Sequence, residues 1–155
     1  MIRHATSKDA PAIALLFHDT VKKINSRDYS ETQVRAWAGL APDPGKWTAR
    51  QSSRLTFVDE EDGIIRGFAE LEEEGHIGAL YVHAEFQGEG IASSLLQRVE
   101  EEAIARGADY LWTEVSITAK LFFAKHGFEV ITAQEVEYQG AVFRNYRMQK
   151  DLTNR

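Results

Sequence analysis

Residues 87–92 read Gln-Gly-Glu-Gly-Ile-Ala, and this run constrains the chain more than any other. Two glycines flank a glutamate. A strongly striped segment follows, with Ile91, Leu95, Val99 and Ala103 at helical spacing and Leu96 and Ile104 beside them. A glycine loop that opens a helix offers free backbone N–H groups, and the helix dipole adds about half a positive charge at the same place. Gly88 and Gly90 carry no side chain, so the backbone can approach a ligand closely. Such a device suits a phosphate or pyrophosphate.

The surroundings decide which one. Ile2–His4 reads as a short strand, and Thr6 with Asp9 forms a helix-start pattern. Ile13, Leu16, Phe17, Thr20, Val21 and Ile24 then recur at helical spacing. Ser30 with Gln33 is a second start, with Val34 and Trp37 one turn apart. Residues 39–47 hold two of the three prolines and read as a loop. From residue 54 the period changes. Segments 54–60, 64–73 and 76–83 are strands joined by short turns, an antiparallel meander. After the long helix come a strand at 110–116, a short helix at 119–125, and a hairpin around Gln139-Gly140. The order β-α-α-β-β-β-α-β-α-β-β predicts an α+β fold in which 76–116 makes a parallel crossover and the rest is antiparallel.

A chain of 155 residues is expected to form one domain, residues 1–155. Its net charge of −6 argues against a nucleic-acid partner, which favours a basic face. No apolar run approaches the ~18 residues of a membrane span, and the first residues lack a signal-peptide core. A cytoplasmic protein is the expectation. There is no cysteine, so no cysteine can carry an acyl group. The five histidines lack metal-ligand spacing, and no metal is expected.

Three phosphate-bearing ligands compete for the loop. A Walker loop ends in Gly-Lys-Ser/Thr, and here the residues are Gly90-Ile91-Ala92. A Rossmann loop needs a third glycine where Ser93 stands, and a βαβ context that the meander denies it. Coenzyme A, with its pyrophosphate, is left. Gln87-Gly88-Glu89-Gly90-Ile91-Ala92, between a strand reading Leu80-Tyr81-Val82-His83 and a long helix, resembles the acetyl-CoA signature of the GNAT acetyltransferases. Residues 119–128 resemble that family's second cofactor segment, and the element order matches over essentially the whole chain.

The resemblance implies a GNAT-like mixed, mostly antiparallel sheet with helices on both faces, and acetyl-CoA as cosubstrate. It implies that the backbone of Leu80, Tyr81 and Val82 pairs with the pantetheine arm. Backbone N–H groups of Gln87, Gly88, Glu89, Gly90, Ile91 and Ala92 would hold the pyrophosphate, with Ser93 nearby. Phe122 and Phe123 would wall the thiol end. The chain departs from the family twice. Phe123 stands where many relatives carry a tyrosine that protonates the leaving thiolate, and Ser116 stands where many carry asparagine.

An amine that attacks the thioester must first lose a proton, since its pKa lies near ~10. Glu114, His76 and Glu70 are the candidate bases, with His83 closer to the loop. Each has a plainer reading. Glu70 to Glu74 reads as a solvated turn, His76 as a strand-end polar residue, and Tyr81 as packing. Glu114 falls on an expected interior strand, where an unpaired carboxylate is costly. Asp28, Tyr29, Trp37 and Tyr138 are candidates to cage the acceptor's ammonium. The acceptor class stays open between a small-molecule amine and a peptide. A non-catalytic acyl-CoA sensor is the alternative from another class, and the resemblance admits a homodimer.

Overall fold

Helix starts written into the sequence lay out the first third of the chain. In the computed structural model, which describes residues 1–153, β1 is Ile2–His4. The Asp9 carboxylate accepts the Thr6 backbone N–H at 2.7 Å, and α1 (Ala10–Lys23) follows with Pro11 in its first turn. Ser30 and Gln33 cap each other's backbone ahead of α2 (Glu31–Ala38). The segment read as a loop then turns helical. The Asp43 side chain accepts from Lys46 N, and Pro44 opens α3 (Pro44–Gln51). Asp-Pro is itself a helix-start signal, which the proline count concealed. The fold therefore has one helix more than expected.

Strands β2 (Leu55–Glu61), β3 (Ile64–Leu71) and β4 (Ile77–Val82) form the expected meander, with β1 on its outer edge. Helix α4 (Ile91–Ala105) leads to β5 (Tyr110–Ser116), and α5 (Lys120–Lys125) leads to the hairpin of β6 (Glu129–Tyr138) and β7 (Ala141–Asp151). β7 lies between β5 and β6, and every ladder pair is antiparallel. The parallel component is smaller than the sequence suggests. One bridge, His76 to Trp112, joins β4 to β5. The Thr113 hydroxyl reinforces it by donating to the Ile77 carbonyl at 3.0 Å. Beyond those residues no ladder continues, and the two sheets part.

Each face of the four-stranded sheet carries its own core. On one face α1, α2 and α3 bury Phe17, Tyr29, Trp47, Phe68 and Phe143. On the other, α4 buries Leu71, Ile77, Leu95, Leu96, Val99, Leu111 and Val115. At ~25 cal/mol per Å² of apolar surface removed from water, either cluster offers the sheet a strong reason to stay covered.

Candidate functional site

The parting of β4 from β5 creates the site, and a bulge shapes it. Glu70 pairs with Ala79 but Leu71 pairs with Ile77, so Gly78 is an extra residue in β4. A Cβ on Gly78 would come within 3.1 Å of Glu70 Oε1, so a larger residue would crowd the ion pair beneath. Glu70 is fully buried, and Arg50 grips both its oxygens from Nε at 3.1 and 3.0 Å. Burial opposes the Arg50 charge, but hydrogen bonding and attraction from Glu70 outweigh it and raise the guanidinium pKa. Glu70 is thus a sealed structural carboxylate, not part of a solvated turn. Glu73 and Glu74 are the exposed ones.

Two cavities open where the strands part. One, about 230 Å³, runs between residues 78–82 of β4 and 113–116 of β5, and reaches Gln87, Ala92, Phe122 and Phe123. The other, about 340 Å³, lies on the aromatic side and is lined by Trp37, Trp47, Tyr81, Glu114, Tyr138 and Phe143 among others. Trp37, Gly78, Ala79, Tyr81, Glu114 and Ser116 line both, so the two cavities share a wall.

The first cavity has the character of a channel for an extended ligand. His83 N donates to Arg66 O, and Tyr81 and Ala79 alternate with it toward β3. Alternation turns the N–H and C=O of Leu80 and Val82 toward the gap, and Tyr81 contributes its ring rather than its amide. Part of that edge is occupied, since Val82 O accepts Gln87 Nε2 at 2.7 Å and Thr20 Oγ1 at 3.2 Å. At the channel's outer end Gly88 and Gly90 have φ of 78° and 81°, the left-handed region that glycine tolerates best. A Cβ at either would meet no protein atom within 4 Å, so the space before the loop is open. The first N–H groups of α4 have no partner within the helix. Ile91 packs its side chain into the aliphatic core, and Ser93 Oγ lies 3.1 Å from His126 Nε2. An unfilled edge, a glycine cradle and a helix N-terminus in line fit the pantetheine and pyrophosphate of coenzyme A.

The remaining candidates separate cleanly. Glu114 is exposed to both cavities and accepts from Gln134 Nε2 at 2.6 Å, so it escapes the burial expected of an interior strand. His76 lines neither cavity. It stacks on Trp112 at 3.9 Å and hydrogen-bonds Glu72 through Nδ1, at the closed end of the gap. His83 accepts from Glu85 N and caps a turn. Ser116 Oγ accepts from Ala119 N at 3.1 Å at the mouth of both cavities. Phe123 is buried between Phe122 and Phe128.

Of the acceptor-side candidates, Tyr29, Trp37 and Tyr138 line the aromatic cavity, and Asp28 does not; it is exposed and ends a short turn. The Tyr29 hydroxyl is engaged, accepting from Ile117 N at 2.8 Å and donating to Arg144 O at 3.2 Å. Burial raises its pKa, and burial raises that of Tyr81 still further, with the Trp37 indole as its hydrogen-bonding neighbour. Both phenols stay protonated at neutral pH. The sequence reading missed Phe17, Lys46, Trp47, Arg50, Phe143 and Asn145, all of which line this cavity. Lys46 and Arg50 lie four residues apart on α3, a shared face that the Asp43-Pro44 start could have revealed.

Comparison with known proteins adds the lineage. Residues 25–150 match the family model described as an acetyltransferase (GNAT) domain. The chain is 31% identical over 147 residues to the uncharacterized N-acetyltransferase YafP of Escherichia coli strain K12, covering 95% of this chain and 93% of that protein. A crystal structure of a GCN5-related N-acetyltransferase from Rhodopseudomonas palustris superposes with a TM-score of 0.94 at 36% identity, over 98% of this chain and 95% of that one. The PaiA N-acetyltransferase of Thermoplasma acidophilum, solved in complex with coenzyme A, shares the fold with a TM-score of 0.77 at 20% identity, over 97% and 98% of the two chains.

Proposed function

The chain belongs to the GNAT acetyltransferase family, and from that premise we propose that residues 1–155 act as one domain moving an acetyl group from acetyl-CoA to a small-molecule amine in a ternary complex. The observation that carries this reading is the wall shared by the two cavities. A donor along the β4 edge and an amine on the aromatic side would meet at Gly78, Ala79, Tyr81, Glu114 and Ser116. The bound cosubstrate supplies an activated thioester. The chain has no cysteine to take the acyl group, so the amine attacks it directly.

Each side chain at the wall then has a role. Glu114, reachable from both cavities and held by a neutral amide, takes the proton from the incoming ammonium. Tyr81 is kept protonated by burial, so it serves as a hydrogen-bond donor and not as a base. It offers a proton near the thiol end that Phe123 lacks. Ser116 offers a second hydroxyl. Arg50 and Glu70 hold the Gly78 bulge rigid from beneath. A cavity of about 340 Å³, walled by α2, α3 and the β6–β7 hairpin, favours a small acceptor. Its charged lining is two cations and one carboxylate, not the acidic groove a basic peptide would need.

Thiol release from acetyl-CoA tests the proposal directly, because the protein contributes no thiol of its own. Release is expected with small primary amines. Glu114→Gln should lower kcat by ~10²–10⁴-fold. Full activity in that variant would sink the assignment of Glu114. Binding of acetyl-CoA without release across amines and peptides would sink the proposed transfer.

A further inference from the structure

The aromatic cavity contains a cation with nothing charged to answer it. Three charged side chains line this space, namely Lys46, Arg50 and Glu114. Arg50 is committed to Glu70. Glu114 faces the shared wall, where the amine has to be delivered. Lys46 stands on α3, on the opposite side from the β5–β7 sheet. Its ammonium lies 5.0 Å from the Phe17 ring centroid and 5.4 Å from that of Trp47. Among the described residues it makes no ion pair. The two rings steady the ammonium by cation–π attraction but leave its N–H donors available.

A second group in the same cavity also lacks a partner. Asn145 lines it, facing Ser116 across the β5–β7 ladder, and its buried side-chain oxygen has no hydrogen-bond donor. The Glu114 carboxylate is an acceptor at the wall where the two cavities meet, and the Asn145 oxygen is an acceptor in the aromatic cavity, on the residue paired with Ser116 of that wall. Lys46 is a donor on the far side. Between them the surface is aromatic, built from Phe17, Trp47, Tyr81 and Phe143. An amine alone would satisfy only the first end. Desolvating Lys46 against an uncharged acceptor would leave its charge uncompensated, which disfavours such an acceptor.

Building on the acetyl-transfer reading above, we infer that the acceptor is an amine bearing an anionic group on an apolar or aromatic body, with Lys46 as the residue that selects the anion. A ring with an aminoalkyl group at one end and a carboxylate at the other has this chemistry. Its ammonium would reach Glu114 and Asn145, its carboxylate would meet Lys46 in a charge-assisted hydrogen bond, and its ring would lie against the aromatic wall.

The test compares matched acceptors that differ only in the anion: para-carboxyphenethylamine against phenethylamine, and para-carboxybenzylamine against benzylamine. For the unaltered protein the carboxylated member of at least one pair should be preferred by ~10-fold or more in kcat/KM, the scale of one charge-assisted hydrogen bond. Lys46→Met should collapse that ratio toward unity, mainly through acceptor KM. Lys46→Arg should keep most of it. Equal use of both members, preference for the decarboxylated amines, or an unchanged ratio in Lys46→Met would overturn the inference. Turnover of phenethylamine or benzylamine alone would overturn it while leaving acetyl transfer intact. Absence of thiol release from all four, with acetyl-CoA binding retained, would count against both.

Discussion

The two faces of the four-stranded sheet are built from different materials. The α4 face is aliphatic and continuous, a stripe of Leu95, Leu96 and Val99 locked onto Leu71, Ile77, Leu111 and Val115. The face under α1, α2 and α3 is aromatic and interrupted. Phe17, Trp47, Phe68 and Tyr81 meet edge-on, tilted or, for Phe68 and Tyr81, stacked around an open cavity, with a buried ion pair behind them. Aliphatic side chains interdigitate and exclude everything else. Rings leave flat walls and polar edges that a ligand can use. On the proposed function, the α4 face holds the cofactor loop rigid and the other face discriminates among acceptors. Substitutions on the first should cost stability alone, and substitutions on the second should cost stability and selectivity together.

The sharpest break in that contrast is Arg50→Leu. Among the described residues, Arg50 is the only side-chain hydrogen-bonding partner of Glu70, a carboxylate with no solvent exposure, and the substitution removes it. Breaking one member of a buried pair typically costs ~3–5 kcal/mol, because the survivor stays buried and charged. The Gly78 bulge should loosen with it, since Arg50 also donates to the Gly78 carbonyl at 3.4 Å. Chemical denaturation should show the loss, and acceptor KM should rise. A change below ~1 kcal/mol would place Glu70 in a far wetter environment than its burial indicates.

Leu95→Ala is the matching test on the aliphatic face. Leu95 is wholly buried, and such truncations cost ~2–5 kcal/mol depending on how far the cavity collapses. Acceptor KM ratios should not move. If they do, the division of labour between the faces is wrong. Gly90→Val falls between the two kinds of effect. A β-branched residue at φ of 81° is strained by ~1–2 kcal/mol. Its larger consequence should be a raised KM for acetyl-CoA at unchanged acceptor preference.

The same contrast explains what could be read from the sequence. The aliphatic face was legible because one helix carries it at a fixed period and a glycine signature announces its start. Strands β2 to β4 were legible because short turns separate them. The aromatic cavity was only partly legible, since its lining comes from α1, α2, α3, β4, β5, β6 and β7, and no period links them. Trp37 and Tyr29 stood out as isolated aromatics, while Trp47 lay at the end of a segment read as loop. Asp28 drew attention as the carboxylate beside Tyr29, yet neighbours in sequence face apart when a turn ends between them. Glu70, read as part of a solvated turn, and Glu114, read on an interior strand, have the opposite burial in the structure. Arg50, twenty residues before Glu70, buried one, and the parting of the sheets exposed the other.

The smallest effect concerns how the aromatic face is tied down at its outer edge. Arg3 holds the Asp9 carboxyl below the usual range, aided by the Thr6 backbone N–H, while partial burial works against them. A carboxyl depressed in the folded state adds stability that is complete above the unfolded pKa near ~4 and disappears as pH falls through the folded value. Arg3 is 29% exposed, so solvent screens the pair and Asp9→Asn should cost only ~1 kcal/mol at pH 7. Once the pH has fallen through the lowered folded value, the parent's own Asp9 is protonated, and the difference should vanish. Leu95→Ala, by contrast, should cost the same at both pH values, because it removes packing and no charge. Urea melts of both variants at neutral and acid pH separate the two behaviours. A pH-independent deficit in Asp9→Asn would mean that Asp9 acts through packing of the α1 start, and that the two faces are anchored by the same physics after all.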